Sequence, residues 1–209
     1  MEKKRFIFDL DGTLMTGNFE KEKEYFEFIY GEDSQILVPN MGTYLNEYEN
    51  IFSKYTIEDL SHFLHTRTDL EITPDIIDGW IEIMSDVPDV MEKGIVGVLE
   101  YLKQKDKSLA VLTNWFSKGQ ISRLKKAGIY EYFDDIVTGD TVLKPHRDSY
   151  LTARDQFSLD ECVMIGDHLE KDYIGPRAIG MESILYDKNS IYHDNIVKIK
   201  RMNEIKKKY

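Results

Sequence analysis

The 209-residue chain predicts an α/β fold class: a doubly wound parallel sheet that carries an inserted all-helical block. Three observations carry this expectation. After Pro88, short and nearly continuous apolar runs alternate with stretches of helical period, as parallel strands covered on both faces by crossover helices require. From about Asn18 to Ser85 the period is helical throughout, and no segment reads as a strand of the main sheet. Charge divides the chain in the same way. Residues 15–89 hold 17 Asp/Glu against 4 Lys/Arg, whereas the remainder holds 21 against 23. The expected organisation is an α/β core from residues 1–14 and 90–209 and a helical cap from 15–89.

Taken in order, Arg5-Phe-Ile-Phe is a short apolar strand ending at Asp9, and Gly12 breaks the pattern behind it. In the helical block, Phe19–Tyr30 forms one helix, and a second runs from about Pro39 to Lys54. Its face is marked by Tyr44, Tyr48, Phe52 and Tyr55 at spacings of three and four. Thr56-Ile-Glu-Asp opens a third helix through a side-chain cap and an acidic first turn. Thr73-Pro-Asp opens a fourth, with Thr73 as the cap and Pro74 at the first helical position. Beyond Pro88 the expected order is helix 91–104, strand 108–112, helix 117–127 stopped by Gly128, and strand 135–138. A helix at 147–157, strand 162–165, a short helix ending near Gly180 and strand 182–186 follow. The basic tail from Lys198 forms a last short strand and helix, and Lys206-Lys207-Lys208 reads as a solvated end.

Composition narrows the function classes. The chain is 42% hydrophobic and 31% charged, with 13 Tyr and 10 Phe, too apolar for a disordered segment. Its formal net charge of −11 opposes general nucleic-acid binding, which needs a basic surface. No run approaches the ~20 apolar residues of a membrane span, and the apolar stretch after the basic N-terminus is too short for a signal peptide. The single Cys162 allows no internal disulfide and no cysteine metal cluster; it reads as a small buried apolar residue. A cytoplasmic protein, a monomer or small homo-oligomer, is the expectation, with a small phosphorylated metabolite as its partner and neither nucleic acid nor membrane.

Open parallel sheets place ligands beyond the C-terminal ends of their strands, near the point where strand order reverses. Each polar residue that stands out lies there. Asp9 and Asp11 follow the first strand, Thr113 and Asn114 the second, Lys144-Pro145 lies after the third, and Gly166-Asp167 closes the fourth with Asp172 five residues on. Asp-Gly after a strand is by itself most often a turn, Thr-Asn most often a helix cap, and Lys-Pro a surface loop. Their recurrence after four strands in one chain is what points to chemistry.

Asp9-Leu10-Asp11-Gly12-Thr13-Leu14 resembles the first motif of the haloacid dehalogenase-like (HAD) hydrolase superfamily. Thr113 resembles its second motif, Lys144 its third, and Gly166-Asp167 with Asp172 its fourth; the helical block resembles that superfamily's type 1 cap. The resemblance implies a Rossmann-like core and a Mg²⁺-dependent phosphatase that hydrolyses a small phosphate monoester through an aspartyl-phosphate. The residues suit that chemistry. A carboxylate nucleophile approaching a phosphate dianion needs a cation between them, and Mg²⁺ is satisfied by carboxylates, a backbone carbonyl, waters and a substrate oxygen. Asp9 and Asp167 would supply carboxylates and Asp11 its backbone carbonyl, while Asp172 would hold Lys144 or reach a metal-bound water. Asp9 would attack phosphorus, and Asp11 would give a proton to the leaving oxygen and later take one from water. Thr113, Asn114, Lys144, the Leu10 N–H and the turn at Gly12 would hold the phosphoryl oxygens.

Other candidates read as structure or as pocket lining. His62 and His65, three apart on one helix, lack a third ligand. His146 and His168 neighbour the motif residues and could contact substrate, and Trp115 could line the pocket entrance. A phosphomutase shares all of these residues and is the enzymatic alternative; a non-catalytic phospho-ligand-binding regulator of the same fold would be expected to lack Asp9 or Asp11. The acidic excess of residues 15–89 disfavours polyanionic substrates and suits a sugar phosphate, mononucleotide or amine-bearing monoester.

Overall fold

Alternation along Arg5-Phe-Ile-Phe sends Phe6 and Phe8 to one face of the sheet and Ile7 to the other. The computed structural model describes residues 2–192 and 195–209. This first strand, β1 (Arg5–Phe8), is followed by the short β2 (Met15–Gly17). Five helices come next: α1 (Glu20–Tyr30), α2 (Ser34–Leu37), α3 (Met41–Ile51), α4 (Ile57–Thr68) and α5 (Pro74–Met84). The chain then returns through β3 (Asp89–Met91) to α6 (Ile95–Gln104), β4 (Ser108–Leu112), α7 (Ser117–Lys126) and β5 (Asp135–Val137). The last part holds α8 (Arg147–Ala153), β6 (Cys162–Gly166), a π-helical turn (Leu169–Ile174), α9 (Gly175–Ala178), β7 (Glu182–Tyr186), β8 (Lys198–Ile199) and α10 (Ile205–Lys208).

The main sheet is parallel, in the order β5-β4-β1-β6-β7-β8. Strand order therefore reverses at β1, which pairs with β4 on one side and β6 on the other. Two apolar layers cover it. On one face Phe6, Phe8, Val111 and Ile165 meet Val98, Leu99 and Leu102 of α6. On the other, Ile7, Ala110 and Met164 meet Tyr150 and Ala153 of α8, with Cys162 buried among them as expected. Arg5 is buried where the sheet meets α8. It is satisfied by the Ser108 hydroxyl at 2.6 Å, Asp135 at 2.6 Å and the Ala153 carbonyl at 3.1 Å, as a buried cation must be.

The helical block has its own core, in which Phe26, Tyr48, Leu60, Phe63, Ile77 and Trp80 converge. Trp115, Phe116 and Leu143 from the loops at the strand ends enter the same cluster, so the block is seated on the C-terminal edge of the sheet. Trp115 lies against Trp80, ring centres 4.5 Å apart, and holds a φ of +130° to do so. A bulky residue in that region of the map carries ~1–3 kcal/mol of strain, offset here by the apolar contact.

Several expected boundaries shift. The segment read as helix 39–54 is a 3₁₀ turn at Val38–Asn40 and then α3, which stops at Ile51. Residues 52–55 leave the helix because they bond to the core: Leu143 N–H donates to the Ser53 carbonyl and Tyr55 N–H to the Gly139 carbonyl. Thr56 caps α4 through its side chain as expected, but Thr73 makes no such bond to α5. The helix expected from 91 begins at Ile95, because Asp89–Met91 pairs antiparallel with Met15–Gly17. This two-stranded ribbon, unforeseen in the sequence, occupies both passages between sheet and helical block. The helix expected over 147–157 ends at Ala153, and strand 135–138 ends at Val137.

Candidate active site

Parallel pairing of β1 with β6 sets Asp9 and Asp167 side by side, each just past its strand. Asp9, Asp167 and Asp172 present carboxylate oxygens that all lie within 4.8 Å of one another. Two glycines make this crowding possible. Gly12, at φ +77°, leaves bare the space beside its Cα that the Asp167 carboxylate occupies, and Gly166 does the same for Asp172. Lys144 Nζ bridges the cluster, donating to Asp9 Oδ1 at 2.7 Å and Asp172 Oδ1 at 2.6 Å. The loop after β5 is therefore long enough to bring Lys144 to Asp9. The other oxygen of Asp172 accepts from the His168 N–H at 3.0 Å, so Asp172 fixes both the lysine and the turn that follows β6.

Electrostatics follow from burial. Asp9 is buried, and loss of solvent lifts its carboxyl well above the usual range; Lys144 opposes that shift, while Asp172 and Asp167 add to it. Burial and then Asp172 raise Asp167 to about 6. Burial works against the charge of Lys144, but Asp172 and Asp9 outweigh it and hold the ammonium above its ordinary value. Three carboxylates sharing one ammonium leave an excess of negative charge with hard oxygen donors, of which Asp9 Oδ2 and Asp167 Oδ2 carry no protein hydrogen bond among the described residues. That donor set fits a divalent cation.

Asp11 points elsewhere. Its carboxylate meets Arg123, with Nη2 at 2.5 Å from Oδ1 and Nη1 at 3.2 Å from Oδ2, and Gln120 Nε2 donates to Oδ2 at 3.1 Å. Gln120 also donates to the Thr113 hydroxyl at 2.9 Å, so one side chain of α7 locates both residues. Arg123 spans further to Asp89 in the ribbon, at 2.7 and 2.9 Å. Gln120, Arg123 and Asp89 were absent from the sequence reading. Their signal was slight: two polar residues three apart on a helix read as a solvated face, yet both are fully buried.

Two expected phosphate contacts differ in the structure. The Asn114 carboxamide is taken up by the main chain of Lys144, accepting its N–H and donating to its carbonyl at 2.9 Å each, and so splints the lysine loop. The Gly12 N–H donates to the Met15 carbonyl at 2.8 Å, since its left-handed turn folds the chain back there. The Leu10 and Asn114 N–H groups make no hydrogen bond among the described residues, and Asn114 lines the opening over Asp9. A cavity of about 470 Å³ lies over Asp9, Thr113, Lys144 and Asp167 and is bordered by His168. His146 Nε2 sits 3.0 Å from the Glu49 carbonyl in the interface with the helical block, and His65 Nδ1 sits 2.7 Å from the Leu70 carbonyl. Neither His62 nor His65 joins a metal-ligating group among the described residues.

A family model for haloacid dehalogenase-like hydrolases matches residues 3–180. The chain belongs to that family. Among curated proteins it is 32% identical over 112 residues to ribulose-1,5-bisphosphate 5-phosphatase from Halopiger xanaduensis, covering 52% of this chain but only 45% of that protein. It is 24% identical to glyceraldehyde 3-phosphate phosphatase from Pyrococcus abyssi, over 88% of this chain and 81% of the relative. It is also 24% identical to pyrophosphatase PpaX from Bacillus pumilus, over 85% and 80%. Among solved structures, L-2-haloacid dehalogenase from Xanthobacter autotrophicus shares the fold with a TM-score of 0.71 at 15% identity, over 98% of this chain and 97% of that one. The HAD hydrolase YfnB from Bacillus subtilis does so with 0.67 at 19% identity, over 98% and 97%. No helix among the described residues is long and apolar enough to cross a membrane.

Proposed function

We propose that this HAD hydrolase is a Mg²⁺-dependent phosphatase that hydrolyses a small phosphate monoester through an aspartyl-phosphate on Asp9. The observation that carries the proposal is the shared volume of Asp9, Asp167 and Asp172 with Lys144 on two of them, at the reversal point of the sheet. The phosphatase activities of the three relatives support the same reaction class. Asp9, Asp167 and the Asp11 carbonyl would hold Mg²⁺, which supplies the positive charge that lets a carboxylate and a phosphate dianion approach.

The chain's own residues account for the rest. Lys144, kept cationic by Asp172 and Asp9, neutralises a second phosphoryl oxygen and is aimed by the Asn114 splint. Thr113, held by Gln120, and the Leu10 and Asn114 N–H groups face the remaining oxygens. A free oxygen of Asp9 bonds to phosphorus as the P–O ester bond breaks; Asp11, released from Arg123 and carrying a proton taken from solvent, gives that proton to the departing oxygen. Water then attacks phosphorus, Asp11 takes the water's proton, the P–O bond to Asp9 breaks, and phosphate leaves with Asp9 restored. The helical block, residues 15–89, acts as the cap over a catalytic core of residues 1–14 and 90–209.

The test is phosphate release from a monoester panel and from p-nitrophenyl phosphate, with Mg²⁺ and with EDTA. Asp9→Asn should lower turnover by at least ~10³-fold, in the range of lost covalent catalysis, and EDTA should abolish it. Normal turnover by Asp9→Asn, or indifference to EDTA, would refute the assignment.

A further inference from the structure

A second chamber, about 350 Å³, opens from Asp11 and Asn114 and runs beneath the helical block. If the proposed phosphatase reading holds, the leaving group extends there, because the side chain of Asp11, the proposed proton donor, is turned to that side. Most of the wall is apolar, with Phe19, Val38, Met41, Leu45 and Met84 contributing. Its charged members are Asp11, Glu22, Glu49 and Arg123.

Arg123 is the one cation among the described residues that line this chamber, and it has nothing left to offer. All five of its N–H donors are spent: Nε on Asp89, Nη1 on Asp11 and Gln120, and Nη2 on Asp11 and Asp89. Two carboxylates flank it, so its charge is more than balanced. Glu49 is likewise closed, with one oxygen taken by the Tyr55 hydroxyl at 2.7 Å and the other by Lys171. Glu22 differs. Its Oε1 accepts from Trp80 Nε1 at 2.8 Å, and Oε2 has no partner among the described residues. Burial lifts this carboxyl to about 7, so a hydrogen-bond donor placed against it stabilises its anion, and an approaching anion opposes it.

We infer that the chamber selects a small leaving alcohol that carries a hydroxyl or amine donor for Glu22 and no second phosphate or carboxylate. A second anion would enter a space with an apolar wall, three acidic residues (Asp11, Glu22 and Glu49) and, among the described residues, no free cationic donor. Like-charge juxtaposition of that kind is a strong device of rejection. The donor, in contrast, meets an acceptor that is already in place.

The test is calorimetric binding of three phosphonates to the Mg²⁺-loaded protein: 2-hydroxyethylphosphonate, 2-aminoethylphosphonate and phosphonoacetate. The first two should bind at least ~10-fold more tightly than the third. Glu22→Lys should bring phosphonoacetate level with or ahead of 2-aminoethylphosphonate. Glu22→Gln, which keeps the acceptor for Trp80 and only removes the charge, is the second variant and should narrow the preference for 2-aminoethylphosphonate at least threefold. Equal or tighter binding of phosphonoacetate by the native protein, or no binding of any of the three, overturns the inference. Failure to hydrolyse p-nitrophenyl phosphate while the binding order holds would overturn the phosphatase reading alone.

Discussion

Gly12 shows how a single residue carries the site. Its φ of +77° is open to glycine, and the Asp167 carboxylate stands where a side chain would begin. Gly12→Ala meets both obstacles at once. The left-handed backbone alone costs ~1–2 kcal/mol for an L-residue, and the carboxylate must move as well. We expect a loss of about that size in urea denaturation, together with at least a ~10-fold fall in Mg²⁺ or Mn²⁺ affinity by calorimetry, since displacement of one charged ligand is worth ~1.4 kcal/mol or more. Retention of native metal affinity would show that Asp167 is not placed by this glycine. The motif residues were legible because each stands where a strand ends. What the sequence cannot show is that the Asn114 carboxamide and the Gly12 N–H are already taken by Lys144 and Met15, which leaves the Asn114 N–H as that residue's open donor.

At the scale of elements, α1 and α5 are joined through Glu22 and Trp80. Glu22 has its carboxyl lifted from 4.5 to about 7 by burial, the Trp80 bond working the other way. A carboxyl raised in the folded state contributes stability that is fully present below pH 4.5 and lost as pH rises through 7. Glu22→Gln, which keeps the bond to Trp80 and removes the charge, should leave stability near pH 4 unchanged and raise it by roughly 2–3 kcal/mol at pH 8. Chemical denaturation at the two pH values decides the matter; an equal effect at both would mean that Glu22 titrates normally. Long periodic helices such as α1, α4 and α5 were readable from their apolar faces. The ribbon of β2 and β3 was not, because three-residue strands have no detectable period and exist only through their pairing. The early end of α3 has the same origin, as its last residues bond to the core instead of to their own helix.

Across the whole molecule, the acidic helical block and the nearly neutral core are held together by specific contacts more than by net charge. Glu49 of α3 and Lys171 of the turn after β6 form an ion pair largely removed from solvent, beside the Tyr55 hydroxyl and the seated Trp115. In a double-mutant cycle, Glu49→Gln and Lys171→Met should show a coupling of ~1–3 kcal/mol by urea denaturation. Lys171→Met alone should cost more than the double variant, because it leaves a buried carboxylate without its cation. Additive effects would mean that the pair does not join the two parts. The sequence by itself determined the α/β class, the helical insertion and the set of carboxylates at the strand ends, because apolar periodicity and strand-end position are local properties of the chain. Tertiary structure alone decided that Asp11 is held by Arg123 and Gln120, that Asp89 ties this group to the ribbon, and that Glu22 keeps, among the described residues, an unpartnered oxygen at the second chamber. Those facts depend on which buried polar groups meet across 34 to 112 residues of chain, and hydrogen bonds at that separation leave no pattern in the order of amino acids.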